Sequence, residues 1–218
     1  LSEIMLQQTR VEAVRGYYAR FLSALPTIEA LAACDDDSLH KLWEGLGYYS
    51  RVRNLKKAAQ QIIAQHDGIF PCTHEEILAL PGIDECHIGL NDLHLGYGRK
   101  FMFELLADGT VDAIAEKFKA HGIPFGIGGI ARLGRGIIPA ECILAEPIRL
   151  GSEAVILSRS FCNDILFSDR PDREEIFVRE VKRLRSAEAQ LLREQPTFFA
   201  ENHRLLSSLV AMILEGKL

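Results

Sequence analysis

The apolar residues of this 218-residue chain change their spacing at the Pro81–Gly82 turn, and this change constrains the fold more than any other feature. Before the turn, apolar residues recur every three or four positions, as they do on one face of an amphipathic helix. After the turn they form short runs bounded by turn residues, which is typical of buried parallel strands. The predicted strands cover residues 86–90, 123–130 and 154–158.

The predicted fold class is therefore mixed, with an all-α unit followed by an α/β unit. Helix starts are predicted at Thr27, Asp35 and Thr73, and Thr73 forms a capping box with Glu76. The βαβαβ order after the turn indicates an incomplete sheet or part of a TIM-type barrel, because a complete eight-stranded barrel needs about 200–250 residues. Further helices are predicted at 111–121, 139–150 and 173–215.

The net charge of −5 and the pI near 5.8 do not indicate a dedicated nucleic-acid binder. Such domains usually carry a clear excess of basic residues. Any contact with DNA would then rest on a local patch, and the candidates are Arg51, Arg53, Lys56 and Lys57. The alternative interpretation of this run is an ordinary solvated helix face.

The five cysteines include no C-x-x-C pair, which argues against a zinc site, an iron–sulfur site and a disulfide framework. Their odd number fits a reducing cytoplasm. No apolar run reaches the roughly 20 residues that a membrane span requires. The residues that follow Leu1 lack the pattern of a signal peptide. We therefore expect a cytoplasmic protein that does not bind membranes.

Three positions near the first unit carry candidate chemistry. Glu3 lies in an apolar helical stretch, where partial desolvation would raise its pKa and suit it to donate a proton. The alternative is an exposed residue on a first helical turn. Tyr48 follows Gly45 and Gly47, which can let its ring reach outward and stack against a base, although core packing is equally open. Gly82 belongs to a Pro-Gly turn that either binds a phosphate through N–H groups or only reverses the chain.

The segments SEIMLQQTR, LWEGLGYYSRVRNLKKAA, GIFP and LPGI appear in this order between residues 1 and 83. In order and spacing they resemble the adenine-specific DNA glycosylases (MutY type) of the helix-hairpin-helix superfamily. The resemblance implies base excision repair of adenine opposite 8-oxoguanine. It assigns to Glu3 the protonation of the flipped adenine, and to Gln8 and Tyr48 insertion into the duplex. It also places four further residues at the DNA or the lesion: Leu6, Thr9, Leu46 and Gly82.

The sequence departs from that family after the Pro-Gly turn. Asp84 and Cys86 stand where the family has a second glycine and a tyrosine of the adenine pocket. The family's downstream aspartate and its four cluster cysteines have no match in this sequence. An iron–sulfur cluster is therefore not expected. A proton donor without its anionic partner loses charge stabilisation, so little or no glycosylase activity is predicted.

Asp92 lies just beyond the first predicted strand, in a loop bounded by glycines. A carboxylate at the carboxyl end of a barrel strand is well placed to hold a divalent cation. The alternative is an N-cap residue of the next helix. His87 and His94 lie nearby, but a single histidine is more often structural, so neither is predicted to be a ligand.

Residues 83–218, from IGLNDLHLGYG through SRSFCN to the last helices, resemble the C-terminal half of the HpcH/HpaI aldolase/citrate-lyase family. Members of that family are TIM-type barrels that use Mg²⁺ or a similar cation to stabilise a pyruvate-like enolate. The resemblance implies a keto-acid substrate and assigns the metal to Asp92. The family's metal-binding glutamate, catalytic arginine and first five strands have no match, so the metal site is expected to be incomplete.

Residues 1–83 and 84–218 are therefore interpreted as two fragments joined at Gly82–Asp84, in a chimera of a DNA glycosylase and an aldolase. Two alternatives stay open. One is a magnesium-dependent carbon–carbon lyase whose barrel is completed by another chain in an oligomer. The other is a catalytically silent fusion.

Overall fold

The computed structural model describes residues 1–166 and 171–218, and it divides into two compact units, Leu1–Ile77 and Leu78–Leu218. Each unit has a hydrophobic core of its own. Among the described helices, none combines the length and the apolar character that crossing a membrane requires.

The first unit consists of helices, as the spacing of its apolar residues predicts. Two predicted helix starts are confirmed by side-chain caps. The hydroxyl of Thr27 accepts a hydrogen bond from the Ala30 N–H at 3.1 Å, and the Asp35 carboxylate accepts one from the Ser38 N–H at 2.8 Å. The helices are α1 (Ser2–Leu6), α2 (Val11–Ala24), α3 (Ile28–Ala33), α4 (Asp36–Trp43), α5 (Ser50–His66) and α6 (His74–Leu78), the last of which crosses into the second unit.

The predicted capping box at the start of α6 is also confirmed. The Glu76 N–H donates to the Thr73 hydroxyl at 3.2 Å, and the Thr73 N–H donates to the Glu76 carboxylate at 3.0 Å. These reciprocal bonds satisfy two N–H groups that a helix start otherwise leaves unpaired. Hydrogen bonds to the Glu76 carboxylate from the Thr73 N–H and from the Cys72 N–H lower the pKa of Glu76.

The core of the first unit is centred on Trp43 and Phe21, whose rings meet edge to face with centroids 5.9 Å apart. Both side chains are almost completely buried. Aromatic pairs in this geometry stabilise a core by about 0.5–1.5 kcal/mol beyond their buried area. The other buried residues of this core are Met5, Val14, Leu31, Leu39, Leu46, Val52 and Ala59.

The second unit is built on a parallel sheet of three described strands, in the order β1 (Cys86–Gly89), β2 (Phe125–Ile130) and β3 (Ala154–Leu157). Ile88 of the first strand is in register with Ile127 of the second. The prediction of three parallel strands is therefore confirmed, with each strand one or two residues shorter than expected.

Helices connect and cover these strands, which agrees with the predicted βαβαβ order. The described sheet is open, with β1 and β3 as its edges, so it gives no support to the predicted partial barrel. A barrel has to bring its edge strands together through further strands. The helices are α7 (Leu90–Gly96), α8 (Glu104–Ala107), α9 (Thr110–Ala120), α10 (Ala140–Leu150), α11 (Arg159–Leu166), α12 (Arg173–Leu191) and α13 (Pro196–Leu214).

His87 lies on β1 and is exposed, with one side of its imidazole against two glycines of β2. A Cβ atom on Gly126 would overlap its Nδ1 atom, and one on Gly128 would lie 3.0 Å from its Nε2 atom. The two glycines of β2 therefore leave the space that the imidazole fills. Partial desolvation of the imidazole lowers the pKa of His87.

A buried ionic network holds α10 against α13 in the second unit. The fully buried carboxylate of Glu146 accepts hydrogen bonds from Arg149, Asn202 and His203, at 2.8 to 2.9 Å. Arg149 also donates two hydrogen bonds to Asp112 of α9, at 2.6 and 3.0 Å. A buried charge costs several kcal/mol unless it is paired, and here each oxygen of Glu146 has a partner.

Candidate nucleic-acid interface

The first element of the candidate site is the turn between α1 and α2. It carries Gln8, which is exposed and has a left-handed backbone with φ of 56°. Residues other than glycine seldom adopt this conformation, because the Cβ atom crowds the neighbouring carbonyl. Hydrogen bonds from the Thr9 N–H to the Leu6 carbonyl, 3.1 Å, and from the Thr9 hydroxyl to the Gln7 carbonyl, 3.3 Å, stabilise the turn.

The second element is the turn between α4 and α5, which carries Tyr48. Its ring is 62% exposed, and its backbone is also left-handed, with φ of 46°. Gly45 precedes it with φ of 96°, and a Cβ atom there would overlap the hydroxyl oxygen of Tyr17. The indole N–H of Trp43 donates to the Gly47 carbonyl at 3.0 Å, which fixes the turn to the core. The predicted outward ring of Tyr48 is thus observed, and the core alternative is wrong.

Arg51 joins the two turns from inside the unit. Its Nη1 atom donates to the carbonyls of Ile4 and Met5, both at 3.1 Å, and to the carbonyl of Gln7. Its Nη2 atom donates to the carbonyls of Leu46, at 2.9 Å, and Gly47, at 3.3 Å. One guanidinium therefore binds the backbone of both turns.

Two side chains of the candidate site also contact this guanidinium. The Thr9 hydroxyl lies 3.4 Å from Nη2, and the Tyr48 ring centroid lies 5.4 Å from the guanidinium carbon. That distance is within the range of a cation–π interaction. The structure thus brings the turn that carries Gln8 and Thr9 and the turn that carries Tyr48 to one buried cation.

The predicted basic patch is wrong in two of its four members. Arg51 is only 9% exposed and faces the core rather than solvent. Lys56 forms an ion pair of 2.6 Å with Asp36, and most of its side chain is covered. Arg53 and Lys57 are exposed. The helical period explains the error, because α5 turns Arg51, Val52 and Ala59 inward while their neighbours in sequence face water.

Glu3 does not have the environment that the sequence predicts for it. The residue is exposed in the first turn of α1, so the predicted desolvation of its carboxylate is absent. The helical period explains this exposure, because Met5 is the buried residue of α1 and Glu3, two positions earlier, lies on another face of the helix. The alternative of an exposed glutamate in a first turn describes the free protein correctly.

The remaining residues predicted at the DNA differ in their exposure. Leu46 is buried in the core of the first unit, and Leu6 is half-buried against it, so both support the turns from beneath. Gly82 lies in the second unit, exposed and with φ of 85°. Its left-handed backbone fits the predicted Pro-Gly turn. Phosphate binding by that turn stays a prediction.

Asp92 lies just beyond the carboxyl end of β1, as predicted, but in the first turn of α7 rather than in the predicted glycine-bounded loop. The N-cap position of this helix belongs to Gly89, so the alternative of an Asp92 cap is wrong. Within residues 1–166 and 171–218, no three His, Cys, Asp or Glu side chains form a group that could hold a metal ion. Mg²⁺ needs several oxygen ligands in octahedral geometry. The described residues around Asp92 therefore do not fit a metal site.

Sequence reasoning missed the role of Arg51. The signal that could have revealed it is the spacing of Arg51, Leu55 and Ala59, which places the arginine on the apolar face of α5. A cation in an apolar row requires partners inside the fold. The identity of those partners, backbone carbonyls of two distant turns, has no sequence pattern.

The chain is similar to known proteins of DNA repair. A family model described as HhH-GPD superfamily base excision DNA repair protein matches residues 1–122. The adenine DNA glycosylase of Buchnera aphidicola subsp. Baizongia pistaciae is 38% identical over 123 residues, which cover 56% of this chain and 34% of that protein. The adenine DNA glycosylase of Rattus norvegicus is 42% identical over 84 residues, which cover 38% of this chain and 16% of that protein. The human enzyme is 40% identical over 84 residues, which cover 38% of this chain and 15% of that protein.

These matches bear directly on the predicted joint. The chain spans about a third or less of the length of these relatives. The family match continues through Gly82–Asp84 to residue 122, well beyond the predicted end of the glycosylase fragment. The comparisons support neither an aldolase segment nor a chimera. Because the family model covers more than half of the sequence, the chain belongs to the HhH-GPD superfamily of base excision DNA repair proteins.

Proposed function

We propose that the first unit is the lesion-recognition part of an adenine DNA glycosylase and inserts Gln8 and Tyr48 into duplex DNA where adenine faces 8-oxoguanine. One observation carries this proposal: Arg51 holds together the two turns on which these exposed, left-handed residues lie. The target base follows from the similarity to adenine DNA glycosylases.

Base extrusion explains why such a pair of residues is useful. An enzyme that cleaves a base from its sugar takes that base out of the stack, which leaves a gap in the duplex. An aromatic ring can fill the gap, and stacking on a base contributes about 1–3 kcal/mol. The ring of Tyr48 is mostly exposed in the free protein and is therefore available for such stacking.

Glu3 is the proton donor in this proposal. Its carboxylate is exposed in the free protein, so bound DNA would have to exclude water from it before it acts as an acid. The sequence lacks a match to the family's aspartate that stabilises the oxocarbenium ion. We therefore expect recognition of the lesion to be stronger than its excision, and excision to be slow.

Recognition can be tested with a duplex in which 2-aminopurine replaces the adenine opposite 8-oxoguanine. We expect the full chain to increase the 2-aminopurine fluorescence, because the base leaves the stack. Tyr48→Ala should weaken binding by about tenfold, as expected from the loss of one stacked ring. Tyr97→Ala is the control, because Tyr97 is an exposed tyrosine of the second unit. A parent chain that binds this duplex no better than an undamaged one would overturn the proposal.

Excision needs a separate test. We expect slow cleavage at adenine opposite 8-oxoguanine after alkali treatment, and no product from Glu3→Gln at the same protein concentration. Glu12→Gln is a suitable control, because Glu12 is also an exposed glutamate in the first turn of a helix of the first unit. Equal product from the parent and Glu3→Gln would exclude Glu3 as the donor.

A metal-dependent lyase, active only if another chain completes the barrel and the metal site, is the second candidate function. It is favoured by the position of Asp92 at the carboxyl end of a parallel strand, where barrel enzymes place catalytic groups. The described residues do not supply further metal ligands. Release of pyruvate from 4-hydroxy-2-keto acids with Mg²⁺ or Mn²⁺, and its loss in Asp92→Ala, would support this candidate. No release with either metal would exclude it.

A further inference from the structure

We propose that Arg51 is a positioning residue for lesion recognition: it sets the distance and orientation between Gln8 and Tyr48 without touching the DNA. The inference rests on the proposed function of the first unit. It concerns how one buried side chain holds the turns that carry Gln8 and Tyr48 in a fixed arrangement, so that both residues can contact the same lesion.

The first argument is that the two terminal nitrogens of the guanidinium bind different turns. Nη1 donates hydrogen bonds to the end of α1 and to the following turn, at the carbonyls of Ile4, Met5 and Gln7. Nη2 serves the other turn, through the carbonyls of Leu46 and Gly47. The third nitrogen, Nε, is buried and has no hydrogen-bond partner among the described residues, so the two terminal nitrogens make all of these bonds.

The geometry of arginine is the second argument. The two terminal nitrogens are fixed in one plane, so a displacement of one turn is transmitted to the other. A lysine has a single ammonium group on a flexible stem and cannot bind both turns in one fixed geometry. Position 51 therefore requires the planar group as well as the charge.

The third argument is the location of the bonds relative to the strained residues. Gln7 immediately precedes Gln8, and Gly47 immediately precedes Tyr48, and Arg51 binds the carbonyl of each. These carbonyls belong to the peptide units whose rotation sets the φ angles of Gln8 and Tyr48. Losing the bonds would leave both residues free to relax from their left-handed conformations.

Burial separates this role from an ordinary phosphate contact. Arg51 is 9% exposed and its terminal nitrogens are bonded to carbonyls, whereas Arg53, two positions further along the helix, is exposed. Loss of charge at Arg53 should weaken binding to any duplex. Loss of the planar group at Arg51 should instead reduce the preference for the lesion.

The test compares Arg51→Lys and Arg53→Gln in the full chain. For each variant one measures the Kd for the lesion duplex and for an undamaged duplex, and the 2-aminopurine fluorescence at saturating protein. The lesion preference is the Kd for the undamaged duplex divided by the Kd for the lesion duplex. We expect Arg51→Lys to reduce this ratio by about tenfold, the effect of one lost stacking contact, and to lower the fluorescence at saturating protein. Arg53→Gln should change both Kd values by the same factor and leave their ratio and the fluorescence unchanged.

Two results would overturn the inference. One is an unchanged Kd ratio and fluorescence in folded Arg51→Lys. The other is an equal loss of discrimination in Arg53→Gln, which would indicate that charge alone matters. If Arg51→Lys does not fold, hydrogen exchange of residues 44–50 in free Thr9→Val replaces it, since the Thr9 hydroxyl contacts both terminal nitrogens and this measurement involves no DNA. Unchanged exchange of those residues would then overturn the inference.

Hydrogen exchange distinguishes failure of this inference from failure of the proposed function. Peptides that cover residues 3–10 and 44–50 should both exchange faster in Arg51→Lys than in the parent, and neither should do so in Arg53→Gln. If the parent shows no lesion preference while both peptides respond, the proposed function fails and the mechanical link between the turns stands. If only one peptide or neither responds, the link itself is refuted.

Discussion

The indole N–H of Trp43 donates a hydrogen bond of 3.0 Å to the carbonyl of Gly47, which ties the single tryptophan of the chain to the turn that carries Tyr48. The same ring meets Phe21 edge to face and lies 5.5 Å from the guanidinium carbon of Arg51. Tryptophan emission therefore reports on the core of the first unit and on its candidate site at once.

Replacement of Phe21 by alanine should destabilise the first unit. Phe21 is buried against Trp43, so its removal loses the transfer free energy of the ring and leaves a cavity, at a cost of about 3–5 kcal/mol. A urea titration followed by tryptophan emission measures the change. The exposed Phe70 provides the control, because Phe70→Ala should shift the midpoint little. Similar midpoints for the two variants would contradict this assignment of the core.

Substitutions at the two glycines before Tyr48 should differ in severity. Both have left-handed backbones, so alanine is strained at either position by about 1–2 kcal/mol. At Gly45 the new methyl group also overlaps the Tyr17 hydroxyl, whereas at Gly47 no atom of the described residues lies within 4 Å apart from those of its chain neighbours. We expect Gly45→Ala to lower the free energy of unfolding more than Gly47→Ala, by tryptophan-monitored urea titration. Addition of Tyr17→Phe to Gly45→Ala should recover part of the loss.

The stability of the second unit should fall in acid through Asp112. Burial alone would raise the pKa of Asp112, but the hydrogen bonds and charge of Arg149 outweigh it and hold the pKa below its ordinary value. A carboxylate with a lowered pKa stabilises the folded state above the unfolded pKa of about 3.9, and this contribution is lost as the pH falls through the folded pKa. Asp112→Asn should therefore be less stable at pH 7 and depend less on pH between about 5 and 3.

Urea titrations at several pH values, followed by far-UV circular dichroism, test this dependence. Glu116→Gln is the control, because Glu116 lies on the same helix and its ion pair with Lys119 is exposed. Exposed ion pairs contribute about 0–1 kcal/mol to stability, so Glu116→Gln should retain the pH dependence of stability that the parent shows. An Asp112→Asn variant that loses stability in acid as steeply as the parent would exclude the proposed contribution of Asp112.

Cys142 should resist alkylation until the second unit unfolds. Burial, followed by the charge of Glu146, raises its pKa to about 11. Only about one thousandth of the thiol is then ionised at pH 8, and the thiolate is the reactive form. Cys72 is exposed and should react first. Mass spectrometry of iodoacetamide-treated protein measures both rates, and comparable labelling of Cys142 and Cys72 in native protein would contradict this expectation.

The sequence predicted most of the local structure because the responsible interactions are local. Thr27, Asp35 and the Thr73–Glu76 pair cap helices through contacts within four residues, and such contacts leave a pattern. The three strands could also be predicted from the sequence, since each is a short apolar run between turns. The expected barrel has no support, because closure of a sheet depends on strands distant in sequence.

The candidate site was predictable in its residue types and not in its environment. The glycines around position 47 left an outward ring and core packing equally open for Tyr48, and the structure shows the outward ring. The exposure of Glu3 and the burial of Arg51 depend on which face of each helix meets the core. The two turns that Arg51 connects lie more than 35 residues apart, and no periodicity indicates that they meet.

The bonds of Arg51 have a consequence for ionic strength. Its hydrogen-bond partners among the described residues are backbone carbonyls and the Thr9 hydroxyl, none of which titrates. Added salt screens exposed cations and releases them from phosphates, but it weakens buried dipolar contacts much less. The two turns that carry Gln8 and Tyr48 should therefore keep their arrangement in concentrated salt, while the affinity for DNA declines. The salt concentration would then set the affinity for DNA of any sequence, whereas the bonds of Arg51 would preserve the preference for the damaged base pair.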